Sequence, residues 1–162
     1  MKTSLVIIST LLVLSVIVPF LIFIYKGSSN TNNIKKLVQP FLPNGVTYGT
    51  TEVWRKNFIG ISNDKNILTH ISFKENKPHI NNISLNDIKQ CTIFKSYNNA
   101  NTALKNLALE FTMKSNPKSN VCINFFNIDD DLREDFEMPR IEKWHQLIKD
   151  ALAEQVENKR DS

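Results

Sequence analysis

"FIGISNDKNILTHISF", residues 58–73, alternates side chains on both sides of a polar centre. Ile59 and Ile61 share a face of the first half. Ile67, Thr69, Ile71 and Phe73 share a face of the second half, with His70 and Ser72 on the other. A period of two marks a strand, because successive side chains leave opposite faces of an extended chain. "NDKN" at 63–66 supplies residues that tolerate tight turns. The stretch reads as a β-hairpin, and the period it sets continues downstream.

"KENKPH" reads as a second polar turn, and "INNISLNDI" and "QCTIFKSY" as two more strands. Cys91 and Ile93 are expected to face inward, with Phe94 opposite. "NNANTA" breaks the pattern. "LKNLALEFTMK" alternates through Leu107, Leu109, Phe111 and Met113. After the turn "SNPKSN", "VCINFFNI" alternates through Val121, Ile123 and Phe125. Strands at roughly 10- to 15-residue spacing, joined by polar turns, predict antiparallel pairing and exclude βαβ units. The expected fold is mainly β (α+β): a sandwich or partly open barrel of about seven strands.

The period changes once more. In "MPRIEKWHQLIKDALAEQV", residues 138–156, apolar side chains recur at three- and four-residue steps: Ile141, Trp144, Leu147, Ile148, Ala151, Leu152 and Val156. Glu142, Lys143, Gln146, Lys149, Asp150 and Glu154 cover the other side. Pro139 suits the first helical position, where its missing N–H is no loss. Such a stripe must bury against something, and a sandwich has an open end for one helix to close. Trp144 is the largest single burial expected there. Residues 158–162 read as an unstructured tail.

At the other end, Ser4 to Tyr25 carries no charge. A helix of that length spans about 30 Å, the hydrocarbon thickness. Pro19 is tolerable in a membrane helix, and Tyr25 and Lys26 suit the water boundary. The competing reading is a cleaved signal peptide. The apolar run is long for one, and no Ala-x-Ala site follows. An uncleaved transmembrane anchor is expected over 4–25, in a single-pass protein of the cell membrane. The lysines on its C-terminal side favour a cytoplasmic domain. Residues 26–45 read as linker and juxtamembrane segment, and 46–157 as the domain. Within the linker, "IKKLVQPFLP" places Ile34, Leu37, Val38 and Phe41 at helical spacing, stopped by Pro40 and Pro43. It either lies on the bilayer or packs on the domain. Lys26, Lys35, Lys36, Arg55 and Lys56 are the candidate contacts to a membrane surface.

Lys+Arg number 20 against Asp+Glu 16, a formal charge of +4. Lys2, Lys26, Lys35 and Lys36 account for that excess, so a nucleic-acid partner is not expected. The two cysteines, Cys91 and Cys122, both lie in strand-like runs and are expected as buried free thiols. The acidic run Asp129 to Glu137 fails an EF-hand pattern at Arg133 and Glu134, and reads as a solvated loop before a helix N-terminus. His70, His79 and His145 form no ligand spacing for zinc. The four glycines build no phosphate loop. No catalytic residue, metal or cofactor is expected. Trp54 reads as a strand-edge or core residue.

The order of "TEVWRKNFIGIS", the hairpin that it opens, "ISLNDIKQC", "LALEF" and "IEKWHQLI" resembles the pleckstrin-homology-like superfold. It looks in particular like the membrane-anchored bacterial versions of that domain. The resemblance spans about residues 46–156. It implies a sandwich closed by one C-terminal helix, with lipid head groups or peptides as common ligands. Members that bind phosphoinositides carry dense Lys and Arg in the first hairpin loop, whereas "SNDKN" carries one lysine. The function expected is a non-enzymatic binding or scaffolding module at the membrane with a protein partner. The alternative is an accessory subunit of a larger membrane complex.

Overall fold

The computed structural model describes residues 11–19, 34–74, 77–98, 103–115, 120–131 and 136–158, without side chains for 156–158. Lys26, the Val156 side chain and residues 159–162 lie outside that set.

The polar turns divide the chain into seven strands in two antiparallel sheets. The first sheet runs in order β1 (Tyr48–Trp54), β2 (Asn57–Ser62), β3 (Ile67–Lys74), β4 (Lys77–Ser84). The second runs β5 (Ile88–Tyr97), β6 (Leu104–Met113), β7 (Asn120–Asn127). The sheets remain separate and form no closed barrel. Helix α1 (Glu137–Asn158) packs on β5, β6, β7 and the 3-10 turn Leu85–Asp87.

"KENKPH" is less of a turn than its composition predicts, because Lys77, Pro78 and His79 belong to β4. Pro78 is tolerated there because β4 is an edge strand. "INNISLNDI" is not one strand. The 3-10 turn breaks it and carries the chain between sheets, with Leu85 buried at the corner. Helix α1 begins at Glu137, so Pro139 lies third in the first turn, where an N–H still lacks an intrahelical acceptor.

Register decides which face each residue takes. Ile61 pairs with Leu68 and Leu68 with Ile83. Ile59 pairs with His70 and His70 with Asn81; Asn57 pairs with Ser72 and Ser72 with His79. Partners directly opposite share a face. The inner face of the first sheet therefore runs from an all-apolar row to a row of Asn, Ser and His. At its apolar end, Leu68, Ile59 and Trp54 meet Leu109, Phe111, Ile123 and Phe125 of the second sheet. Ile141, Trp144, Ile148 and Ala151 of α1 complete that core, with Leu147 and Leu152 partly buried at its edge. Cys91 is buried in it and Phe94 points out.

The outer face of the first sheet is covered as well. Residues 34–38 are helical and run into the 3-10 turn Gln39–Phe41. Ile34 and Val38 pack on Phe58 and Ile71, flanked by Leu42, Val53 and Phe73. This is why β2 and β3 are buried on both faces. Of the expected anchor, only residues 11–19 are described; they are helical, with Leu11 and Val16 about two-thirds exposed. Among the described residues no helix is long and apolar enough to cross a membrane.

Candidate functional site

The two-residue turn between β1 and β2, Arg55 and Lys56, starts the site. Arg55 sits in left-handed backbone at φ 47. That costs a non-glycine residue about 1 kcal/mol. Ion pairs fix the side chain in compensation: its Nε donates to Glu137 at 2.8 Å and its Nη1 to Asp131 at 2.8 Å. Glu137, at the start of α1, is 1% exposed, and Arg140 approaches the same oxygen at 3.7 Å.

Arg140 then bridges back to β1. It donates to Glu52 at 2.8 Å and stands 5.4 Å over the Trp54 ring. Glu52 also accepts from Lys143 at 3.0 Å and from the Trp144 indole at 2.8 Å. Burial opposes ionisation of Glu52, but Arg140, Lys143 and Trp144 outweigh it and hold the carboxyl below its ordinary range. This network fastens the helix start to the first sheet and fixes the side chains around the neighbouring opening.

That opening is a cleft of about 1110 Å³ where the two sheets splay apart. His70, Ser72 and Lys74 line it from β3, and Lys77, His79 and Asn81 from β4. Cys122 and Asn124 face it from β7, with Arg55, Lys56, Asp130 and Asp131 at one end and Ile34 and Leu37 on its border. Lys74 pairs with Asp130 at 2.7 Å and Arg55 with Asp131. Lys56 and Lys77 have no ion pair among the described residues.

His70 is the anomaly. It is 3% exposed, and among the described residues neither ring nitrogen has a hydrogen-bond partner. Burial lowers its pKa to about 4, so the ring is neutral. Its ring centre lies 6.1 Å from that of Trp54. A buried imidazole without partners is costly to retain, unlike Trp54, whose indole reaches the Phe125 carbonyl at 3.4 Å. Cys122 is exposed, not buried as expected of it, because it lies on the face of β7 opposite the buried Ile123. Partial burial and then the Glu110 charge push its thiol pKa up, which makes it a weak nucleophile. Cys91 is buried with its pKa pushed up to about 12. No metal-binding group of three His, Cys, Asp or Glu side chains occurs among the described residues.

The predicted surface cations separate in space. Lys35 and Lys36 are exposed on the packed segment, Lys56 stands beside the cleft, and Arg55 is engaged by carboxylates. The acidic run is no free solvated loop where it is described, since Asp130, Asp131 and Glu137 all neutralise cations. His145 reaches the Cys91 carbonyl at 3.1 Å and serves packing. A smaller hollow of about 440 Å³ lies at the other end of α1, where Lys65 pairs with Glu154 and Gln155 donates to the Lys65 carbonyl at 2.7 Å. It ties the helix end to the β2–β3 turn.

Sequence reasoning missed His70, His79, Asn81 and Asn124. The available signal was that His70 and Ser72 share a strand face with Leu68, which goes inside. No family model matches this chain, and neither a curated protein nor a solved structure does.

Proposed function

We propose that this chain is a membrane-anchored, non-enzymatic binding module of pleckstrin-homology-like build, working at the cytoplasmic surface of the cell membrane. The carrying observation is the 1110 Å³ cleft bordered by Ile34 and Leu37, which follow the polar stretch 26–33. Four strands, then three, then one closing helix is the order that such a build requires. The polar first part of the linker, residues 26–33, is eight residues long and reaches at most about 29 Å. An anchor at 4–25 therefore keeps the cleft end within that distance of the bilayer and raises its effective concentration toward anything held there. Lys35, Lys36 and Lys56 are exposed to solvent, and exposed lysines suit anionic lipid heads. A binding role is favoured over a catalytic one because, among the described residues, neither His70 nitrogen has a hydrogen-bond partner, and the Cys122 thiol pKa is raised.

Membrane fractionation of cells expressing the full chain tests the reading. The chain sediments with membranes and resists high-salt and carbonate washes, and a tagged copy recovered in mild detergent carries a specific partner. A chain that washes off with salt refutes the anchor. A second reading, an accessory subunit of a membrane complex, draws on the exposed apolar side chains of residues 11–18. Deleting residues 1–26 separates the two. A module keeps its partner in solution, whereas a subunit held by its anchor loses the complex.

A further inference from the structure

The cleft has more structure than a gap between sheets. β4 and β7, which line it together with β3, are terminal strands of their sheets, each eight residues long. Among the described residues each edge presents main-chain donors and acceptors that no neighbouring strand takes up, apart from Pro78 of β4, which has no N–H. Between them lies His70, almost fully buried and with both nitrogens unpartnered. A neutral imidazole offers one donor and one acceptor. A peptide group offers the complement of both. An anion at His70 fits poorly, because the site already disfavours charge on the ring. The cleft margin has the opposite character. Four cations line the cleft against two carboxylates, and the surplus rests on Lys56 and Lys77.

We propose that this cleft receives an extended acidic peptide segment of a partner protein, its main chain bonded to His70 and the β4 or β7 edge and its carboxylates set against Lys56 and Lys77. The proposal rests on the binding-module reading and names its ligand. Strand addition gives affinity through the main chain, and charged side chains at the margin choose the sequence.

The test uses the full chain in lipid nanodiscs, presented to a display library of random peptides of about ten residues, slightly longer than the strand edges. Enriched peptides are expected to be rich in Asp and Glu. Their binding is expected to fall about tenfold or more in Lys77→Glu and in His70→Phe. Since His70→Phe can disturb folding, Asn124→Trp, which fills the cleft from the exposed face of β7, is the second variant, with the same loss expected. Enriched peptides that bind all three variants as tightly as the parent overturn this inference and leave the module reading standing. Enrichment of basic or uncharged sequences also overturns it. No enrichment, together with protection of the cleft by anionic vesicles alone, replaces the peptide with a lipid surface. No enrichment and no vesicle binding overturns both.

Discussion

His70 gives the residue scale its sharpest consequence. The folded chain keeps the ring neutral down to about pH 4, whereas an unfolded chain takes up the proton near pH 6.5. Below pH 6.5 the unfolded state therefore binds more protons, and stability falls until pH 4, by roughly 3 kcal/mol for one group. Above pH 6.5 this contribution is constant. Glu52 acts in the same direction in a lower window. Its carboxyl is held below 4.5, so its stabilisation is present above that pH and lost as pH falls through the depressed value. Denaturant midpoints measured across pH are expected to decline in two stages, and His70→Phe is expected to remove the upper one. The thiols give a second check. Exposed Cys122 is expected to react with a maleimide in the native protein, while Cys91 reacts only after unfolding. A label on Cys122 stands in the cleft and is expected to block whatever binds there.

Among the elements, α1 contributes most to closure. Trp144 is fully buried and its indole reaches Glu52, so burial and a charge-assisted hydrogen bond act at one residue. Trp144→Ala is expected to cost about 3–5 kcal/mol, and Trp144→Phe, which keeps most of the burial, about 1–2 kcal/mol. Urea unfolding of the two variants checks the ratio. Residues 34–42 are the less expected element. They cover Phe58 and Ile71, and Val38 is 1% exposed. Val38→Asp is therefore expected to destabilise the domain by about 3 kcal/mol, as a core substitution would, and a free linker would not respond. Strands and helix were legible because period two and period 3.6 are local properties of the chain. The packing of 34–42 was legible only in part, since an apolar stripe there suits a sheet but also a bilayer. Arg55 was legible as a cation but not as an engaged one, because Asp131 and Glu137 lie about 80 residues away in sequence.

For the whole molecule, the two ends differ. The Arg55–Glu137 end holds the cleft and the entry of the N-terminal segment, and the Lys65–Glu154 end is tied shut. Seventeen residues of helix separate Glu137 from Glu154, roughly 25 Å. The cleft itself was invisible in the sequence because it forms from the polar ends of three strands whose register no short motif encodes. In the proposed reading, a tether at 26–33 would hold that end toward the bilayer and the closed end away from it. The most direct test is fluorescence quenching in nanodiscs made with brominated lipids. Bimane is placed at Lys77→Cys or Lys65→Cys in a full-length Cys122→Ser background. The account predicts clearly stronger quenching at position 77 than at position 65. Equal quenching, stronger quenching at 65, or a chain that the nanodisc does not retain contradicts it.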